Sequence, residues 1–407
     1  MKLLTIILLI SFFSPLLFAQ QNSPQETSGI WTTESSAGFS PRAAFTCCVV
    51  NDTLYALGGY NGSAFLGTVE VFDPLSNSWS TRVTTGTFTP RKGLSSSVVK
   101  GKIYTIGGYN DSGALDILEI FDPASNTWSS PVTTGTFTKR WRAASAVVDN
   151  KIYVIGGYNT DKGYLSTLEV FDPGTNSWST PVTTGKLTGR TDLSAAVVDG
   201  KIYVFGGQGS VKLPSPEVYD PQTKTWSNPA MTGTFTSRQG LTSGVIDNKI
   251  FVIGGFDGIK YLNTLEVFDP LTAVWSMPSV TGTFSPRAGL SSGVVNNKIY
   301  VIGGRDANGF LNTNEVFTSL SSSVRNADVL TETKLFPNPT DGAITITDLP
   351  ENLARIVVTT ILGETILEFA DVRSSNFTID LSKFPPGAYY VRSMTKNSSA
   401  TKIMIRK

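Results

Sequence analysis

The sequence contains no histidine and only two cysteines, and charged residues make up just 16% of it. Without histidine the chain lacks the commonest transition-metal ligand and the side chain that titrates near neutral pH, which narrows the enzyme chemistries open to it. The sparse charge sums to a formal +1. No basic field is available to neutralise phosphates, so nucleic acid is excluded as an expected partner. Cys47 and Cys48 are adjacent in an apolar run; neighbouring side chains on a strand point to opposite faces, so two small buried thiols are expected and not a disulfide. Long apolar runs are also missing. The longest, Leu3 to Phe18, is short and interrupted by Ser11, Ser14 and Pro15, which argues against a transmembrane anchor. With Met1-Lys2 before it and Ala19 after it, residues 1–19 are expected to be an export signal peptide.

What the sequence has instead is glycine, in doublets. Each follows a short apolar run, as in Lys151-Ile152-Tyr153-Val154-Ile155-Gly156-Gly157, and the doublets start at Gly58, Gly107, Gly156, Gly206, Gly254 and Gly303. The period is 48–50 residues, and other landmarks keep it: an arginine (Arg42, Arg91, Arg140, Arg190, Arg238, Arg287), a glutamate (Glu70, Glu119, Glu169, Glu217, Glu266, Glu315) and a tryptophan (Trp31, Trp79, Trp128, Trp178, Trp226, Trp275). Each repeat divides into four short segments of strand length, joined first by a two-residue polar turn such as Asp149-Asn150. The sixth repeat stops after Glu315-Val316-Phe317 with no tryptophan, whereas Trp31 stands in phase with no strands before it. The N-terminal strand is therefore expected to complete the last sheet and leave no open edge.

This doublet, tyrosine and tryptophan pattern resembles the kelch repeat over roughly Ile30 to Ser319. The resemblance implies an all-β fold, a six-bladed kelch β-propeller closed by an N-terminal strand, spanning 30–319 after a leader at 20–29. A Ser-rich linker at 320–334 follows, then a second domain at 335–407. There, Phe336-Pro337-Asn338-Pro339-Thr340-Asp341-Gly342, Pro386-Gly387-Ala388-Tyr389-Tyr390-Val391 and the terminal strand Lys402-Ile403-Met404-Ile405 suggest a small immunoglobulin-like β-sandwich. They resemble the C-terminal sorting domain of the type IX secretion system of Bacteroidetes. That resemblance implies type IX secretion machinery as a partner, export through the periplasm and outer membrane, and a final place outside the cell or on its surface.

In a four-strand meander the second-to-third-strand loops and the links between repeats share one face, and these loops vary most between repeats. Variation within a constant frame points to recognition. The expected ligand-binding residues are Tyr60, Tyr109, Trp141, Arg142, Tyr158, Phe256 and Arg305, since aromatic rings and guanidinium groups suit sugars or peptide side chains. Lys162 and Lys260 lie in the same loops. The six framework arginines are expected at one mouth of the channel, either gripping carboxylates or neutralised one-to-one by the six glutamates. The even stoichiometry favours the scaffold role. Loop acids Asp111, Asp161, Asp257 and Asp306 lack the ligand spacing of a dedicated calcium loop; no metal site, catalytic residue or cofactor is assigned. Kelch-type metalloenzymes resembling this chain use histidine, leaving a sialic-acid epimerase type of sugar-modifying enzyme and a purely structural surface repeat as alternatives. The favoured reading is a secreted or cell-surface module that binds a protein or glycan.

Overall fold

The computed structural model describes residues 27–320 apart from 211, 212, 214 and 215, and residues 334–407 apart from 350–354, 361–364, 371, 373 and 395–398. The expected signal peptide, most of the leader and all but the ends of the linker lie outside these. The chain divides into two compact units, the larger being Glu26–Ser321.

In the larger unit the repeats form six antiparallel sheets. Their innermost strands are Thr46–Val50, Ser95–Val99, Ala144–Val148, Ser194–Val198, Thr242–Ile246 and Ser291–Val295, which define sheets 1 to 6. Each inner strand neighbours the next, and the sixth returns to the first. The two-residue turns that lead out of these strands have positive φ at both residues, as at Asp149 (50°) and Asn150 (58°). That geometry matches the strand twist in tight hairpins and suits the Asn, Asp and Gly found there. Both faces of the second strands are apolar because each sheet is covered on both sides. Sheet 3, for example, packs Tyr153 and Val170 against Ile202 and Tyr219 of sheet 4, and Ile152 and Phe171 against Tyr104 and Ile106 of sheet 2.

Sheet 6 takes its outer strands from elsewhere. Ser28–Thr33 pairs antiparallel with Asn314–Ser319, setting Trp31 opposite Phe317. The strand starts at Ser28, two residues before the expected boundary, because Ser28 and Gly29 also pair in parallel with Ser279 and Val280. The same lateral pairing recurs between sheets: Thr85, Thr134, Thr184 and Thr232, in the links between repeats, bridge in parallel to the outer strand of the following sheet. The outer edges of sheets 2 to 6 are thereby covered, and unpaired edge groups are reduced. Beyond the bridge an aromatic stacks on the tryptophan of that strand, as Phe88 does on Trp128 at 4.4 Å and Phe137 on Trp178 at 4.3 Å.

The C-terminal unit has two sheets, one of Lys334–Phe336, Ala343–Thr347 and Phe377–Asp380, the other ordered Thr365–Ala370, Arg355–Thr360, Gly387–Met394 and Ser399–Arg406. Lys334, expected in the linker, is already in a strand. Ile344, Ile346 and Ile379 of the first sheet meet Ile356, Val358, Tyr389 and Met404 of the second in one core. The outer edge of the last strand is capped by the Pro-Asn-Pro turn: Asn338 Nδ2 donates to the Ile403 carbonyl at 2.8 Å, and its Oδ1 accepts the Ile405 N–H at 2.9 Å. Among the described residues no helix is long and apolar enough to cross a membrane.

Candidate functional site

The six framework arginines are buried, each paired with the glutamate of its own repeat. At sheet 3 the Arg140 guanidinium lies 2.6 Å from Glu169, donates to the Gly156 carbonyl at 2.9 Å and to that of Thr138 at 3.1 Å. Glu169 also accepts the Thr138 N–H and hydroxyl. Burial lowers the arginine pKa values, to about 10 at Arg190, which leaves the group charged at neutral pH. The backbone joins in: the N–H of the second glycine of each doublet donates to the arginine carbonyl of the next repeat, from Gly59 to Arg91 at 2.8 Å round to Gly304 to Arg42 at 2.8 Å. The arginines are thus internal locks, not a ring of ligand-facing groups at the mouth.

The two residues after each arginine build the mouth. The second of them, Ala44, Gly93, Arg142, Asp192, Gly240 and Gly289, has positive φ in every repeat. Their N–H groups donate to one another's carbonyls in sequence, 2.6–3.0 Å each, and Ala44 closes the circle on Gly289. This main-chain ring encircles the axis. The first of the two residues bridges to the residue after the doublet, as Lys92 to Tyr109, Trp141 to Tyr158 and Gln239 to Phe256.

Above the ring is a cavity of about 320 Å³ to which all six sheets contribute. Of the expected residues, Tyr60, Arg142, Phe256 and Arg305 line it. Tyr109, Trp141 and Tyr158 do not; they form an aromatic row beside it, with centroids 5.0 Å apart for Tyr109 and Trp141 and 6.3 Å for Trp141 and Tyr158. Lys162 and Lys260 are exposed on the loops and absent from the lining. Among the lining residues outside the expected set are four with charged or amide side chains: Lys92, Asp192, Gln208 and Gln239. Asp192, like Arg142, departs from the alanine or glycine that the other repeats place second after the arginine, and that signal could have found it; the position of Lys92 varies among the repeats and gives none.

The charges are unequal. Arg142 Nη1 donates to Asp192 Oδ2 at 2.9 Å, and the guanidinium lies 4.2 Å over the Trp141 ring. Its Nε is buried without a hydrogen-bond partner. Lys92 Nζ sits over the rings of Tyr60 at 4.8 Å, Phe65 at 5.5 Å and Tyr109 at 5.7 Å. Burial, then Arg142 and Arg305, lower its pKa. Burial pushes the Asp192 carboxyl up, against the pull of Arg142 and Arg305. Among the described lining residues three cations therefore share one carboxylate, and the surplus favours an anionic guest.

Two of the four loop acids serve their own loops. Asp257 accepts the Ile259 and Lys260 N–H groups at 2.8 Å each, and Asp306 accepts those of Asn308 and Gly309. Among the described residues no group of three or more acids or cysteines is placed to hold a metal. The Cys47 and Cys48 thiols are free, and burial raises both pKa values, that of Cys48 to about 11.

The KLHDC2/KLHL20/DRC7 Kelch-repeats domain matches this sequence over residues 25–157 and 142–337. The chain belongs to the kelch-repeat family. A shorter likeness is to Kelch-like protein 4 of Homo sapiens, 44% identical over 43 residues, which are 11% of this chain and 6% of that protein. The kelch ring is followed by a match to the Secretion system C-terminal sorting domain over residues 334–407. The kelch protein thus carries a type IX sorting tail, which directs it across the outer membrane to be attached to, or released from, the outer cell surface.

Proposed function

We propose that the six sheets are the blades of a six-bladed propeller closed by its N-terminal strand, followed in the sequence by an immunoglobulin-like sandwich. We further propose that the propeller is an extracellular binding module. Its site is the mouth of the axis, and its ligand is a glycan or protein bearing an anionic group. The observation that carries this reading is the gathering of Lys92, Arg142 and Arg305, with Asp192 alone opposing them, in one cavity walled by Tyr60, Phe256 and Tyr261. Tyr109, Trp141 and Tyr158 extend the aromatic surface beside it. Catalysis on a sugar acid, the alternative from the sequence, would have a single carboxylate to work with among the described lining residues, not a pair.

The test is binding of the full chain to panels of acidic glycans and acidic peptides, with Arg142→Ala and Arg305→Ala measured alongside. Loss of a charge-assisted hydrogen bond, about 1.5–3 kcal/mol, lowers affinity roughly tenfold or more in each variant. Undiminished binding in both would overturn the assignment of the mouth.

A further inference from the structure

Three cavities on the loop face run into one another. The central one shares Tyr60 and Lys92 with a larger cleft of about 640 Å³ between the loops of sheets 1 and 2. It shares Gln208, Gln239 and Phe256 with a third, of about 300 Å³, between the loops of sheets 4 and 5. These two junctions are three sheets apart in the closed order of six, so they lie on opposite sides of the axis. Taken together, the adjoining cavities of the described residues outline a trough across the face through its centre, with the two outer clefts open to solvent.

A trough open at both ends accommodates the middle of a chain. We infer that it binds an internal segment of an extended, sparsely acidic polysaccharide; this rests on the mouth being the binding site proposed above. Charge fixes the acidity. The cations Lys92, Arg142 and Arg305 are at the centre, while Asp111 and Asp257 stand in the two outer clefts. An acid on every sugar would meet those carboxylates; an acid on one sugar in several meets only the cations. Aromatic side chains on both arms, Phe65 with Tyr60 on one and Phe256 on the other, offer surfaces for pyranose rings. The Gln208 and Gln239 amides can donate to and accept from sugar hydroxyls.

A polypeptide that adds along a free strand edge finds none at the mouth among the described residues. In all six repeats the residue after the arginine is already bridged to the residue after the doublet, from Ala43 with Tyr60 to Ala288 with Arg305. The groups that would pair with a peptide main chain are occupied.

The experiment is calorimetric titration of the full chain with hyaluronan and gellan oligosaccharides, from a disaccharide to an octasaccharide, with oligogalacturonates as the fully charged comparison. Affinity should climb with length until the trough is filled and then level off. A fluorophore on the reducing end of the octasaccharide should leave it unchanged, and oligogalacturonates should bind less tightly. Phe65→Ala, on the arm outside the central cavity, should weaken the octasaccharide roughly three- to tenfold, with disaccharide binding retained as the check on folding, whereas Phe256→Ala, at a residue shared by the centre and the other arm, should weaken both. A disaccharide bound as tightly as the octasaccharide, or an octasaccharide blocked by its end label, would overturn the trough while loss in Arg305→Ala upheld the mouth. An acidic peptide bound in place of every sugar, and lost in Arg305→Ala, would overturn the polysaccharide alone. Binding indifferent to Arg305→Ala, or no binding to any probe, would overturn both readings.

Discussion

Trp31 stacks on Phe284 with ring centroids 4.6 Å apart and planes inclined by 27°, the arrangement that Trp79 makes with Phe39 and Trp128 with Phe88. A residue near the start of the sequence thus occupies the outer-strand position of the last sheet, also meeting Phe317 at 5.4 Å. Trp31→Ala should cost as much as Trp128→Ala, about 3–5 kcal/mol, in chemical denaturation. A Trp31→Ala protein of unchanged stability would mean that the strand adds nothing to closure.

The buried locks should be far more sensitive than the surface pairs. Glu169→Leu strands the Arg140 charge in the interior, a loss of about 3–5 kcal/mol. Asp122→Asn breaks the pair with Lys102, whose side chain is 51% exposed, and should cost less than about 1 kcal/mol. Denaturation midpoints of the two variants provide the comparison.

Acid should tighten the mouth's hold on a permanent anion. The Asp192 carboxyl has a pKa raised chiefly by burial, so the folded state keeps its proton to higher pH than the unfolded chain does. Its contribution to stability accordingly falls as pH rises from the ordinary carboxylate range through the raised value. Protonation removes the only carboxylate lining the central cavity among the described residues and frees Arg142, beside Lys92 and Arg305. A sulfated sugar, ionised throughout, should bind more tightly as pH drops into that range. Asp192→Asn should bind it tightly at neutral pH and without that dependence, as titration at several pH values would reveal.

Two glycines should respond unequally to alanine. A Cβ on Gly135, where φ is +76°, would lie 2.2 Å from the Trp178 carbonyl oxygen, whereas one on Gly113, at +95°, meets nothing within 4 Å. Gly113→Ala bears only the left-handed penalty of about 1–2 kcal/mol. Gly135→Ala should exceed it, because the link would be pushed off the outer strand it covers. Thermal melts distinguish the two.

In the C-terminal unit, Asn338→Ala removes both side-chain bonds to the last strand. At about 0.5–1.5 kcal/mol for each bond, amide exchange at Ile405 should accelerate while the core holds. An unchanged exchange rate would mean that the cap is redundant.

Much of the architecture could be read from spacing alone. The phase of Trp31 pointed to its partner strand, and the matched counts of arginine and glutamate pointed to the internal pairs, because both depend on side chains that recur visibly. The mouth was only half legible. Arg142 and Arg305 stood out as departures from the frame; Asp192 departs from it in the same way as Arg142, whereas Lys92 holds a position that varies among the repeats and gives no such sign. What makes them matter is the left-handed backbone beside or beneath them, and φ leaves little trace where alanine, glycine, arginine and aspartate all adopt it. Covering of the outer edges by Thr85 and its counterparts was missed for a similar reason: the pairing is main-chain to main-chain, and a threonine-rich link reads as polar loop.

The circle of main-chain hydrogen bonds at the axis joins six residues through N–H and carbonyl groups only. Apart from the Arg142–Asp192 pair, their side chains add nothing to that circle. The positions act as six interchangeable sockets, of which Ala44, Gly93, Gly240 and Gly289 are in effect empty, and Arg142 and Asp192 are fitted. A new preference can be written into the empty sockets with residues that tolerate the left-handed backbone, asparagine and aspartate first, while the framework that carries them stays as it is.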